Sequence, residues 1–378
     1  ITKKSKIHIV NFPKDGAGIF IHDDNVDRFV SCKVKEQVEY INKIKNNYDI
    51  CIVMGTGERI AYLADLNYIS YYVGRDIDAP RFKKNSREIW FKTPLHKLNF
   101  LERKFYHNTF KNAIGHVAGV WVYPFLEKYT KNGIKMDMYA MDDELFKNTT
   151  HELDIQKTKF TFFSPQRMGN GKGTDLLWKA LKICKTDFDI LQVNWFDEAT
   201  DEELKIREQL LNELPSQIKL IPMIKRKKMP EYYSFADAVI GNMIVGTWEL
   251  VDLEGVMCGK PVLSYSDPNH KLLVKGNYIQ SSFLPDSNKP EDIAKIIDKV
   301  VSSKEFRDEL FENERKFVSN STDKEWVSNW WDELFETFSQ KYGKIHKNSS
   351  SISIKIRMGL FLIGNRLYWK KIKKLIKI

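Results

Sequence analysis

Arg167 and Lys172 stand five residues apart in residues 160–185, which read FTFFSPQRMGNGKGTDLLWKALKICK. Two cations at that spacing matter because of where the pattern puts them. Phe160, Phe162 and Phe163 form an apolar strand, and Pro165, Gly169, Gly171 and Gly173 mark a turn. Leu176, Leu177, Ala180, Leu181 and Ile183 then recur at helical spacing. The first N–H groups of a helix have no partner inside it and favour an anion, so cations in the preceding turn reinforce an anion site of about diphosphate size. Arg forks across two oxygens and Lys supplies a mobile point charge. A solvated loop at a sheet edge would carry the same residues, and spacing alone does not choose between the two.

A second stretch, residues 232–265, reads YYSFADAVIGNMIVGTWELVDLEGVMCGKPVLSY. Together the two resemble the nucleotide-sugar half of retaining glycosyltransferases of family 4, which have the GT-B fold. Arg167, Lys172, Gly173 and Asp175 match the family's post-strand Arg, Lys-Gly-x-Asp pattern, and Glu254, Met257, Gly259, Pro261 and Val262 match its later helix, turn and strand. The resemblance implies that Arg167 and Lys172 bind the donor diphosphate and stabilise it as it leaves. It also implies that Glu254 accepts from the donor ribose, with Gly246, Thr247, Leu250 and Val251 beside it at a helix start. Gly246 stands where the family places a second Glu, and Glu249 lies three residues further on. In the first half, Gly16 and Gly18 belong to a glycine-bearing loop that faces the donor in this family. Gly74 and Asp76 match an acceptor-side Gly-x-Asp, which makes Asp76 a catalytic candidate, while Val73 occupies the place of the family's histidine. Ala140, Met141, Asp142 and Phe146 hold the places of a motif that closes the first domain.

The elements needed to position these residues can be read from the pattern. Residues 6–10 form an apolar first strand, residues 34–47 a helix, YDICIVMG a second strand, YISYYV a third and AIGHVAGVWV a fourth. Residues 90–111 are basic and aromatic and predict a helix that either packs or faces an acceptor or a membrane. After a polar linker at 147–157, strands alternate with helices through PVLSY, which predicts a parallel sheet covered on both faces. Ligands of such sheets sit beyond the carboxyl ends of the strands, where Arg167, Asn194, the Met223 loop and the Gly246 turn fall. Three helices follow at 290–301, 303–319 and 323–341, the last of which crosses back to the first domain in many GT-B proteins. The expected fold is therefore α/β of GT-B type. Two Rossmann-like domains, 1–150 on the acceptor side and 151–341 on the donor side, would face a central cleft, and 342–378 would form a basic amphipathic tail.

At 378 residues the chain has room for two ordinary domains. Its net charge of +10 could indicate nucleic acid, but no acidic residue follows Glu336, whereas eleven lysines and arginines do. The rest of the chain is near neutral, so no nucleic-acid partner is expected. Projected as a helix, residues 352–378 place Leu360, Phe361, Leu367, Tyr368, Ile372, Leu375 and Ile376 on one arc. Arg366, Lys370, Lys373, Lys374 and Lys377 fall on the other, the pattern of a helix lying on an anionic membrane surface. A disordered tail, a short strand at Ile352, Ile354 and Ile356, and a helix docked on the first domain are the alternatives. The widely spaced Cys32, Cys51, Cys184 and Cys258 lack ligand spacing and read as reduced thiols. With neither a signal peptide nor a spanning segment in the pattern, the expected location is cytoplasmic and peripheral to the membrane.

The activity implied is metal-independent hexosyl transfer, with retention, from a nucleotide sugar to a sugar or lipid-linked acceptor such as a surface-glycan precursor. No cofactor is expected, only the nucleotide sugar as co-substrate. The DxD triplets at 76–78 and 187–189 would be metal-binding only in the other glycosyltransferase fold. A catalytically degenerate nucleotide- or membrane-binding relative, and an epimerase or phosphorylase on the same fold, are the competing functions.

Overall fold

Apolar runs become buried strands and their glycine-rich exits become loops in the structure, a computed structural model. It describes residues 8–11, 28–29, 33–55, 57–73, 100–119, 122–136, 138–150, 153–196, 201–269, 271–274, 277–280, 283–284, 288–343, 345 and 351–364. The chain divides into two units, the first comprising Ile1–Ile89, Leu95–Met136 and Ser328–Ile378, the second Trp90–Pro94 and Asp137–Val327.

In the first unit, β1 (Val10–Asn11) pairs in parallel with β2 (Arg28–Phe29). Then follow α1 (Val34–Ile44), β3 (Cys51–Met54), α2 (Gly57–Leu63), β4 (Tyr68–Tyr72), α3 (Phe100–Asn112), β5 (Gly115–Gly119), α4 (Tyr123–Leu126) and β6 (Gly133–Met136). Strands β3, β4, β5 and β6 form a parallel sheet in that order. Ile60, Leu63 and Phe105 pack with Tyr68 of β4 in one buried cluster.

The second unit contains the longer buried strands. In chain order it has β7 (Phe160–Ser164), α5 (Thr174–Leu181), β8 (Phe188–Val193), α6 (Asp201–Asn212), β9 (Ile218–Ile221), α7 (Met229–Phe235), β10 (Ala238–Ile240), α8 (Leu250–Met257) and β11 (Val262–Leu263). The hairpin β12 (Lys271–Val274) and β13 (Asn277–Gln280) follows, then α9 (Pro290–Ser302) and α10 (Lys304–Ser321). All six residues of β8 are buried, as a central parallel strand covered on both faces requires. Phe162, Trp178, Ile190, Ile240 and Ile297 anchor the core between the sheet and its helices. Pro290 at the start of α9, with Glu291 and Asp292 in its first turn, suits both the backbone and the dipole of a helix N-terminus.

The sheet order is β11-β10-β7-β8-β9, every pair parallel. From β7 the chain winds outward through β8 and β9, then returns to lay β10 on the other side of β7. The winding direction therefore reverses between β7 and β10, and it is outside the carboxyl ends of strands at such a reversal that sheets of this kind bind ligands.

α11 (Lys324–Tyr342) begins in the second unit, and its residues from Ser328 onward belong to the first. There Phe338 lies against Gly115, where a Cβ would come within 2.4 Å of the ring, so β5 needs a glycine at that point. α12 (Ser351–Gly364) is helical from its first residue, which removes the strand alternative for Ile352, Ile354 and Ile356. It also corrects the expected lipid-facing arc. Phe361, placed on that arc by the sequence, is 7% exposed and packs on Phe105 with ring centroids 5.2 Å apart. The described part of the tail is a docked helix, and residues 365–378 lie outside the described residues. Among the described residues no helix is long and apolar enough to cross a membrane.

Candidate active site

Four loops at the carboxyl edge of the second sheet are stitched together by main-chain hydrogen bonds. After β7, Met168 N–H donates to Trp195 O at 2.7 Å, fastening this loop to the one after β8. Across the reversal point, Met243 N–H donates to Lys172 O at 3.0 Å. Tyr265 N–H donates to Asn242 O and Asp267 N–H to Gly246 O, joining the loops after β10 and β11. Gly173 makes the central stitch possible: its φ is +72°, and a Cβ there would sit 2.9 Å from Met243 Cβ.

These stitches bring Lys172 to the N-terminus of α8. Its ammonium forms an ion pair with Glu249 Oε1, the two side chains being 16% and 22% exposed. Glu249 is the N-cap of α8 and part of a reciprocal capping box. Its side chain accepts from the Asp252 N–H, while Asp252 Oδ2 accepts from the Glu249 N–H at 2.7 Å. Asp252 is fully buried, and Ser264 Oγ also donates to its Oδ2 at 3.3 Å. Burial, followed by the nearby Glu249 charge, pushes the Asp252 carboxyl up to about 8, partly opposed by Lys172. Gly241 is the price of this packing, since a Cβ there would lie 1.9 Å from Asp252 Oδ1. Asn242 holds the rest of the loop, accepting from Val245 N–H at 2.7 Å and donating to Thr247 O at 3.2 Å. Two polar atoms beside the ion pair, Thr247 Oγ1 and Glu249 Oε2, are buried without a hydrogen-bond partner.

Arg167 lies at the same edge, its guanidinium 5.7 Å from the Trp195 ring centroid. Asn194, just beyond β8, is exposed and donates its N–H to Ile221 O at 2.8 Å. Met223 and Leu250 are apolar yet 54% and 51% exposed, whereas Gly246 and Thr247 are buried and Val251 half-buried. The carboxyl edge of the sheet thus carries two cations, a helix N-terminus and exposed apolar side chains.

Glu254 has partners that the resemblance did not imply. It is 2% exposed, and Arg226 Nη1 and Tyr233 Oη donate to its two oxygens, each at 2.9 Å. Burial raises its pKa, opposed by Arg226, whose guanidinium also lies 4.7 Å from the Phe146 ring centroid. Sequence reasoning missed Arg226, Asp252 and the Lys172–Glu249 pair. A signal for the first existed in the cation run at Lys225, Arg226, Lys227 and Lys228 directly after β9. The pair, formed across seventy-seven positions, left none.

Gly16, Gly18 and Asp76 lie outside the described residues, as does Gly74. The triplet at 187–189 is accounted for by lysines. Asp187 pairs with Lys159 at 2.6 Å and Asp189 with Lys219 at 2.5 Å, at the start of β8 and away from the crevice. Among the described residues no group of three or more His, Cys, Asp or Glu could hold a metal ion.

Two parallel-sheet α/β units, the second with a cationic crevice at its winding reversal, define the architecture of GT-B glycosyltransferases. Solved structures share it. Sucrose-phosphate synthase from Thermosynechococcus elongatus aligns with a TM-score of 0.58 and 16% identity over 82% of this chain and 77% of that one. HepE from Anabaena, solved with UDP-glucose, aligns at 0.56 and 16% over 79% and 82%. A single-residue mutant of S. aureus TarM, solved with fondaparinux, alpha-GlcNAc-glycerol and UDP, aligns at 0.53 and 15% over 80% and 58%. A search of curated proteins finds no match. Residues 146–317, which carry every feature of the crevice, match the family Glycosyl transferases group 1. Over that stretch the chain resembles the group 1 glycosyl transferases.

Proposed function

We propose that the protein moves a hexosyl group from a nucleoside diphosphate sugar to an acceptor hydroxyl, with retention and without a metal ion. The observation that supports this reading is the placement of Lys172 at the N-terminus of α8, across the winding reversal between β7 and β10, with Arg167 in the same loop after β7. As the bond from the anomeric carbon to the diphosphate oxygen breaks, its electron pair stays on the phosphate. Preorganised cations and helix N–H groups stabilise that charge as it develops, the task a metal performs in other enzymes. Exposed Met223 and Leu250 offer an apolar surface for the flat face of the base. UDP is the donor nucleotide suggested by the HepE and TarM complexes. The acceptor class we propose is a sugar or a lipid-linked glycan precursor, handled at the cytoplasmic face of a membrane.

A binding screen over nucleoside diphosphate sugars, followed by product analysis with and without acceptors, tests the proposal. Expected are micromolar binding of one donor, transfer with the anomeric configuration kept, and undiminished activity in excess EDTA. Loss in EDTA with rescue by Mn²⁺ or Mg²⁺ would refute metal independence. Donor binding without transfer or hydrolysis would favour an inert nucleotide-binding relative, a reading supported by Gly246 in place of a carboxylate and by the enclosed Glu254. Conversion of the donor without any acceptor would instead identify an epimerase.

A further inference from the structure

α12 is held to the first unit by one side only. Arg357 is 12% exposed; its Nη1 donates to Asp65 Oδ1 at 2.7 Å and to Tyr62 O at 3.1 Å, with the guanidinium 4.7 Å from the Tyr62 ring centroid. Asp65 is itself 1% exposed and adopts a left-handed φ of +57°. Phe361, one turn on, fills the space beside Phe105, and the Arg59 guanidinium stands 5.8 Å from its centroid. This is a clamp with a buried charge pair and a buried ring, so the helix cannot roll over to present Phe361 elsewhere.

Among the described residues its outward side is aliphatic, with one lysine. Ile352 and Ile356 are 68% and 57% exposed on successive turns, and exposed Lys355 lies between them. Gly359 continues the same stripe, and a Cβ there would meet no atom within 4 Å. α12 contains no acidic residue, and none follows Glu336 anywhere in the chain. An aliphatic stripe that carries a lysine and no acidic residue suits a surface whose headgroups are negative and whose interior is hydrocarbon. A polynucleotide would use Lys355 and leave the isoleucines in water, so lipid fits better.

We propose that the outward face of α12, made by Ile352, Lys355 and Ile356, is the surface by which this protein rests on an anionic bilayer. The contact differs from a floating amphipathic tail in one consequence. Because Arg357 and Phe361 fix α12 to its unit, the membrane meets a face of set orientation. The proposal does not rest on the donor reading, because binding is read without any donor.

The test is co-sedimentation of the full chain with vesicles of phosphatidylglycerol and phosphatidylcholine, and with phosphatidylcholine alone, at low and high salt. Truncation before α12 is unsuitable, since it removes Arg357 and Phe361 from the core. Ile352→Asp with Ile356→Asp changes two exposed side chains, and circular dichroism checks that the helix persists. Wild type should pellet with the anionic vesicles at low salt, and the double variant should bind at least about tenfold more weakly. Gly359→Leu, which extends the stripe into open space, should bind more tightly. Equal binding of wild type and the double variant would overturn the proposal, as would wild type failing to pellet on anionic vesicles at low salt.

Discussion

Replacing Lys172 by Met separates two roles that its position combines. The ammonium pairs with Glu249, so its loss leaves a half-buried carboxylate that already has one oxygen, Oε2, without a partner. The unpaired group should cost about 1–3 kcal/mol of stability. If the same ammonium also meets the departing diphosphate, its loss removes a preorganised donor worth roughly 2–4 kcal/mol at the transition state. That corresponds to a fall in kcat/KM of roughly 30- to 900-fold. A second change, Glu249→Gln, keeps an oxygen to accept from the Asp252 N–H but removes the stranded charge. Lys172→Met/Glu249→Gln should therefore regain most of the lost stability, measured by denaturant unfolding, while kcat/KM stays low. Recovery of both together would refute the reasoning, because Lys172 would then be a clamp on the α8 cap with no direct part in transfer.

Other outcomes follow from the same loops. Asp252, held protonated to about 8 by burial, binds a proton in the fold that the unfolded chain releases near its ordinary carboxylate pKa. Its contribution is thus complete below about 4 and is lost as pH rises through about 8. Buried Glu314, raised by burial and by Asp252, acts in the same direction, so Asp252→Asn should reduce the fall of melting temperature between those pH values, and an unchanged slope would refute the assignment. Gly173→Ala should cost about 1–2 kcal/mol from the left-handed backbone alone, more from the contact with Met243, and should lower donor affinity by displacing Lys172; wild-type unfolding and binding would show the stitch to be dispensable. Arg226→Met leaves Glu254 buried with Tyr233 as its partner and should destabilise by about 1–3 kcal/mol, an amount that Glu254→Gln in the same chain restores.

Much of this protein is written locally. The runs FTFFS and FDILQV could only be buried parallel strands once helices of ten or more residues were read between them, because covering both faces of a strand demands apolar residues on both. The helix starts at Pro290 and after Glu249 follow from residues within a single turn. Strand order, and with it the reversal between β7 and β10, was legible only through the resemblance, since alternation of strands and helices fits more than one winding. What the tertiary structure alone decided was the partnering of side chains from distant loops. Lys172 reads as a cation waiting for phosphate, and folding gives it Glu249. Glu254 reads as an open acceptor, and folding closes it under Arg226 and Tyr233. Phe361 reads as lipid-facing because a helical projection sees only its own helix, and packing on Phe105 reverses that face. Sequence determines what each residue prefers within a turn or a strand; which of several suitable partners satisfies that preference depends on distances that exist only after the loops have been brought together.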